Sequence, residues 1–267
     1  MATADAAPGR PLAVVTGASS GIGRELAFVL AQEGYDLLLC AEDPAVAEVQ
    51  YDIPQLAVEA VQADLSTYDG VEDLVEAVGD RDVDALVLNA GIAVGGRFVD
   101  TPLDEDLELL ALNVTSVVHL AKRLLPRMVT AGRGRVLVTG SVTSMLPGPY
   151  YATYSASKAF ALNFAQSVRY ELKDTGVTVT TMMPGPTDTE FFERAGMEDT
   201  RVGQSESKDD PADVARDGVA AMLAGKDDAV VGSGLRNTLM SRASKALPEQ
   251  VKAATQARLT KPQDEPG

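Results

Sequence analysis

Tryptophan is absent from the 267 residues, and cysteine and histidine occur once each. A single cysteine, Cys40, excludes an internal disulfide and any cysteine-built zinc cluster. It lies in the apolar run 37–41, where a small buried side chain is its expected role. The lone His119, between Val118 and Leu120, cannot form a histidine metal site and reads as a helix-packing residue, so no metal is expected. Basic residues are outnumbered 23 to 39, and a net charge of −16 argues against nucleic acid and anionic membranes as partners. No apolar run approaches about 18 residues. Residues 1–10 lack the apolar centre of a signal peptide, so the expectation is a cytoplasmic protein without a membrane span.

Phenylalanine is also scarce, at six, yet 45% of the chain is hydrophobic. The core must therefore rest on Val, Leu, Ala and Met, the residues of a parallel sheet covered on both faces by helices. Apolar patterning predicts strands at 11–16, 36–41, 57–64, 84–88, 135–139 and 177–183. Between them fall helices at 24–33, 71–78 and 152–174, at most a short helix at 44–50, and one long helical pattern over 103–129. This alternation predicts a single α/β domain, a Rossmann-like doubly wound parallel sheet with all strand carboxyl ends on one edge. The stretch 184–210 is too long for an ordinary connector and reads as a lid or substrate loop, with a plain surface loop as the alternative. A helix at 211–224, a strand at 229–232 and an amphipathic helix at 248–259 follow, and 262–267 reads as disordered. The organisation expected is a flexible start at 1–10, a catalytic unit over 11–234 and a helical extension over 235–267.

Two motifs carry chemistry. Thr16-Gly17-Ala18-Ser19-Ser20-Gly21-Ile22-Gly23 follows the first strand and opens the first helix. Glycines there let main-chain N–H groups approach a pyrophosphate, and the helix dipole favours the anion. Tyr154 and Lys158 stand four residues apart at the start of a long helix, on one face. A free phenol ionises near pH 10, too high for proton exchange at neutral pH, and a neighbouring ammonium favours the phenolate. Taken alone, each has a plain structural alternative: a tight turn, or a surface Tyr and Lys.

Together with further segments these motifs resemble the classical short-chain dehydrogenase/reductase family over about residues 12–232. Asn89-Ala90-Gly91 matches the family's motif after the fourth strand. Asn113, Ser141, Tyr154 and Lys158 match its catalytic tetrad in order and approximate spacing, and 184–189 matches its Pro-Gly segment. Three positions depart from the pattern: Leu88 replaces a first Asn, Gly140 stands where many members carry Ser, and Thr187 replaces a β-branched apolar residue.

The resemblance implies a hydride transfer between NAD or NADP and a carbonyl or secondary alcohol. It implies Tyr154 as acid/base, Ser141 bonded to the substrate oxygen, Lys158 on the nicotinamide ribose, and Asn113 fixing a water that relays protons toward Lys158. It implies a cofactor bed of Gly17, Ser19, Ser20, Gly21, Ile22, Gly23, Glu42, Asp64, Leu65, Asn89, Ala90, Gly91, Pro184, Gly185, Thr187 and Thr189, with Tyr154 and Lys158 at its end. Read singly, Ser141 could be a turn serine, Asn113 a helix hydrogen bonder and Asp64 a helix cap. NAD is weakly favoured, because Glu42 and Asp43 surround the expected ribose and Arg24 is placed on an outward helix face. Leu146, Pro147, Tyr150, Met183 and Phe191 are candidate substrate contacts. The resemblance also implies a homodimer or homotetramer paired through the helices at 103–129 and 152–174. The alternatives weighed are a silent dinucleotide sensor bound to a partner protein, a sugar-nucleotide epimerase, and a membrane-held lipid reductase. The first would be expected to have lost Tyr154 or Lys158.

Overall fold

The computed structural model describes residues 9–53, 57–232 and 249–263. Seven strands form one sheet: β1 (Leu12–Thr16), β2 (Asp36–Ala41), β3 (Val58–Gln62), β4 (Ala85–Leu88), β5 (Gly134–Thr139), β6 (Val177–Pro184) and β7 (Asp228–Val231). Their order is β3-β2-β1-β4-β5-β6-β7, and every adjacent pair is parallel. The chain reverses its direction of travel across the sheet between β1 and β4. That switch point opens a crevice outside the strand carboxyl ends, where ligands bind in such sheets.

Alternation along each strand divides the core in two. Leu12, Val14, Leu38, Cys40, Leu86 and Leu88 face one layer, packed by α3 (Tyr68–Val78), α5 (Ser116–Ala131) and α6 (Ala152–Leu172). Ala13, Val15, Leu37, Leu39, Ala85 and Val87 face the other, packed by α1 (Gly21–Gln32), α2 (Val46–Val49) and α8 (Pro211–Leu223). The fully buried leucines contribute roughly 1.5–3 kcal/mol each. Cys40 is fully buried and its thiol is pushed up to about 12 by burial, partly offset by a hydrogen bond from the Ala63 main chain, so it is inert packing.

Local sequence sets the helix ends. Thr67 caps α3 by accepting from the Gly70 N–H at 3.0 Å, and Asp210 caps α8 by accepting from Ala212 at 2.8 Å, ahead of Pro211. α5 stops at Gly132, which is left-handed at φ 68°.

Four expectations need correction. The first helix starts at Gly21, so the last two glycines of the turn lie inside it. The pattern at 103–129 is helical throughout but not one uniform α-helix: α4 (Leu103–Leu110) continues into α5 through a π-helical turn over Ala111–Thr115. His119 does more than pack, since Nε2 lies 2.7 Å from Glu72 Oε1 and its ring sits 4.7 Å from that of Tyr68. At the end of the chain, Pro262 bridges to Thr200 and Gln263 Nε2 donates to Gln204 Oε1 at 2.8 Å; residues 264–267 lie outside the described ones. The extension expected from 235 is described only from α9 (Glu249–Thr260) onward, and of the expected flexible start only Gly9 and Arg10 are described. Among the described residues no helix is long and apolar enough to cross a membrane.

Candidate active site

Thr16 is the hub of the switch point. Its Oγ1 donates to the Val87 carbonyl at 3.1 Å and accepts from the N–H groups of Asn89 and Ala90 at 2.9 and 3.1 Å. Asn89 Nδ2 donates to the Thr16 carbonyl at 3.1 Å, and Asn89 Oδ1 accepts from Thr139 Oγ1 at 3.1 Å. One amide thereby locks the ends of β1, β4 and β5 side by side. The glycine turn packs onto this lock: a Cβ on Gly23 would stand 1.9 Å from the Gly17 carbonyl oxygen and 2.6 Å from Asn89 Nδ2.

The turn and the strand ends border a cavity of about 1000 Å³. Every expected cofactor contact lies on its wall, from Gly17 and Ser19–Gly23 through Glu42, Asp64, Leu65 and Asn89–Gly91 to Pro184, Gly185, Thr187 and Thr189. Ser20, the N-cap of α1, makes no side-chain cap bond, and the first turn of α1 holds no acidic residue. Main-chain donors and two serine hydroxyls therefore face the cavity at the positive end of a twelve-residue helix, a donor set that fits a diphosphate. Asp64 lines the cavity and is not the helix cap, a position Thr67 holds; its Oδ1 accepts from the Ser66 N–H at 2.8 Å within the turn ahead of α3. Arg24 points away from the turn's ligand face, bound to Asp52 Oδ2 at 3.0 Å and lying over the Phe28 ring. Thr187 donates its hydroxyl to the Gly185 carbonyl at 3.0 Å, turning it onto its own loop. Thr189 Oγ1 accepts from the Phe191 N–H at 3.3 Å and keeps its own proton to donate.

At the other end, α6 places Tyr154 and Lys158 on one face, with Lys158 Nζ 5.8 Å from the Tyr154 ring centre. Lys158 is buried, donates to the Thr139 carbonyl at 3.0 Å, and is pushed down to about 8 by burial. Tyr154 borders the cavity beside Ser141, the N-cap of a single 3-10 turn, Val142–Met145. Burial pushes its phenol up to about 12, opposed by the hydrogen bond with Ser141. The lowering expected from Lys158 is not seen: desolvation dominates, and Ser141 is the group that opposes it.

Asn113 does not reach the cavity wall. From the π-helical turn its Oδ1 accepts from the Ile92 N–H at 2.9 Å, and Nδ2 donates to the Ile92 carbonyl at 2.8 Å and to Ser157 Oγ at 3.0 Å. A Cβ on Gly91 would meet Asn113 Oδ1 at 3.0 Å and Lys158 Nζ at 3.3 Å, so Gly91 lets these groups close up. Pro147, Tyr150 and Met183 do not line the cavity, whereas Leu146 and Phe191 do. Met183 instead lies within β6, buried in the sheet. The sequence reading missed Tyr151, Phe192, Met197, Val202 and Gln256 on the wall. Tyr151, immediately before α6 and three residues from Tyr154, was the one with a local signal.

A parallel sheet of this order with a phosphate-type cradle, a half-buried Tyr154 and a buried Lys158 defines a doubly wound nucleotide-binding α/β protein. The family model described as short chain dehydrogenase matches residues 11–199, and the chain belongs to that family. The uncharacterized oxidoreductase YvaG of Bacillus subtilis is 35% identical over 188 residues, 68% of this chain and 70% of its own length. The very-long-chain 3-oxoacyl-CoA reductase of Laccaria bicolor is 35% identical over 178 residues, 62% of this chain and 52% of its own. The chain spans about half the length of several of the curated relatives it matches. Among solved structures, a short-chain dehydrogenase of Sphingobium yanoikuyae in complex with NADPH superimposes with a TM-score of 0.77. It is 30% identical, over 88% of this chain and 93% of its own.

Proposed function

We propose that the protein is a nicotinamide-dependent oxidoreductase acting on a carbonyl or secondary alcohol. The observation that carries this is the convergence of Ser141, Tyr154 and Lys158 on the wall of the cavity that the glycine turn also borders. The dinucleotide, when bound, donates or accepts the hydride through its nicotinamide ring. The main chain of 17–23 and the Ser19, Ser20 and Thr189 hydroxyls hold the diphosphate. Glu42 takes the adenosine ribose, Asp64 and Leu65 the adenine edge, and Pro184, Gly185 and the main chain of Thr187 the carboxamide end. Asn89, Ala90 and Gly91 floor the crevice between.

With its phenol held well above neutral pH, Tyr154 stays protonated and gives that proton to the developing alkoxide during reduction. Ser141 donates a hydrogen bond to the same oxygen, a preorganised dipole aimed at growing charge. Lys158 is mostly protonated at pH 7 and donates to the ribose. Asn113 acts as a positioning residue: its side-chain bonds are spent on Ile92 and Ser157, so any water it fixes falls to its main chain.

NAD is favoured over NADP, because Glu42 and Asp43 line the ribose end and Arg24 is engaged with Asp52. The catalytic unit spans 11–234 with 184–210 as its substrate loop, and α9 belongs to the extension over 235–267. A second copy pairs through the helices at 103–129 and 152–174. The exposed stripe Leu103, Leu107 and Leu110 on α4 supports this, and a monomer by light scattering at micromolar concentration would remove it. The reading as a whole is tested by cofactor consumption against a panel of ketones, aldehydes and secondary alcohols. Turnover of at least one class is expected; tight cofactor binding with none would indicate a sensor instead.

A further inference from the structure

Beyond the part of the chain that the family model matches, α9 closes the substrate end of the cavity. It is tied there by Thr260 Oγ1 donating to the Pro149 carbonyl at 2.8 Å and by the Val202 N–H donating to the Leu259 carbonyl at 3.1 Å. These bonds bring one amide side chain, Gln256, onto a wall where Leu146, Phe191, Phe192, Met197, Val202 and Leu259 supply apolar surface and Glu190, Arg194, Arg201 and Ser205 also border the cavity. Gln256 is 7% exposed and Tyr151, its neighbour on the wall, 5%. Tyr151 Oη donates to Gln256 Oε1 at 3.4 Å, which orients the amide. Its Nε2 has no protein partner among the described residues, and it is not sealed from the cavity. The Tyr151 and Tyr154 rings lie 5.9 Å apart, so the residue that orients the Gln256 amide is itself a neighbour of the proposed acid/base. Burial, with the neighbouring Tyr154 phenol adding to it, holds the Tyr151 phenol above its usual range, so Tyr151 remains a neutral donor to Gln256.

We infer that Gln256 is a specificity-determining substrate contact whose Nε2 donates to a second oxygen of the substrate, a few bonds along the chain from the reacting carbonyl. This rests on the oxidoreductase reading above and narrows it. The substrate class is a carbonyl compound with a second acceptor oxygen (ester, thioester or ketone). A ketone without that oxygen would strand the amide donor against hydrocarbon, and pockets that present a polar group discriminate strongly against analogues lacking its partner.

The test compares ethyl 3-oxohexanoate with 4-nonanone, which match in chain length and position of the reacting carbonyl. The readout is the ratio of their kcat/KM values, followed from wild type to variant so that intrinsic reactivity cancels. Gln256→Leu should lower that ratio about 10-fold. Gln256→Glu, which keeps an acceptor for Tyr151 but removes the N–H₂, should lower it as much. Tyr151→Phe should lower it about 3-fold, because the amide loses its orientation but not its donor. The same comparison is made by calorimetry, using the two alcohol products and protein loaded with oxidised cofactor. If wild type turns over no carbonyl at all, the oxidoreductase reading fails, and the calorimetric ratio still judges Gln256. An unchanged ratio in both Gln256 variants, by turnover or by binding, overturns the inference.

Discussion

At the cofactor end of the cavity, the wall comes from turns directly after strands: Gly17 after β1, Glu42 after β2, Asp64 after β3, Asn89 after β4, Ser141 after β5 and Gly185 after β6. At the substrate end, the wall comes from Tyr151 at the mouth of α6, from the short helix α7 (Phe191–Arg194) and the turn at Met197, and from Gln256, more than a hundred residues away. The first end is held by hydrogen bonds among main chain, Thr16, Asn89 and Thr139. The second is held by contacts between segments that leave the sheet, such as Met197 N to the Phe192 carbonyl at 2.8 Å and the α9 ties. One end is therefore a property of the sheet, and the other a property of what the chain lays over it.

That contrast can be broken most severely at Gly23. A Cβ there would collide with the Gly17 carbonyl, backbone against backbone. Gly23→Ala should cost roughly 2–3 kcal/mol of stability and abolish cofactor binding, read by chemical denaturation and by calorimetry. Normal binding in this variant would mean the turn is not the cradle.

Lys158→Met sits where the two ends meet and should work in the opposite direction. In the folded protein the ammonium's pKa falls from 10.5 to about 8, so below pH 8 its buried charge is a constant penalty. Between about pH 8 and 10.5 the unfolded chain holds a proton that the native lysine has released, and this group makes stability rise with pH. Above pH 10 the sign reverses, because Tyr154, raised to about 12, resists the ionisation open to the unfolded chain. Lys158→Met should thus gain about 1–3 kcal/mol at pH 7, less whatever the lost bond to Thr139 costs, and the gain should vanish by about pH 10.5. Thermal melts of both proteins across pH check this; a less stable variant at pH 7 would show that the lysine is not paying a desolvation cost.

Thr260→Val removes the tie between α9 and Pro149. It should cost about 1 kcal/mol and raise KM for substrate, with cofactor affinity unaltered. A matching loss of cofactor affinity would show that the two ends are coupled. The smallest effect is expected at Glu42. Glu42→Gln should shift the ratio of NADH to NADPH affinity toward NADPH by a few-fold at fixed ionic strength. A wild-type preference for NADPH that this variant leaves unchanged would mean the ribose lies elsewhere.

The same division explains what the sequence made legible. Strands buried on both faces are marked by short apolar runs and several of their ends by glycine, so Gly17–Gly23, Asp64 and Asn89–Gly91 were readable in place. Tyr154 and Lys158 share a face by spacing alone. The π-helical turn at Asn113 was invisible because Ala111–Thr115 keeps the apolar pattern of the helices on either side; only the bonds from Asn113 to Ile92 and Ser157 show what that turn accommodates. Pro147, Tyr150 and Met183 were misassigned because closeness in sequence to Tyr154 and to the end of β6 does not fix which way a side chain faces. Gln256 carried no local signal, since its role depends on where α9 docks.

The most direct test of the central claim is Tyr154→Phe, measured for cofactor affinity and for turnover on the same preparation. The account predicts NADH affinity within about threefold of wild type, because the glycine turn and Lys158 are untouched. It predicts turnover reduced by roughly 10²–10⁴, the usual worth of general acid–base catalysis. A variant that binds NADH normally and keeps more than about a hundredth of wild-type turnover would contradict the assignment of Tyr154 as the proton donor.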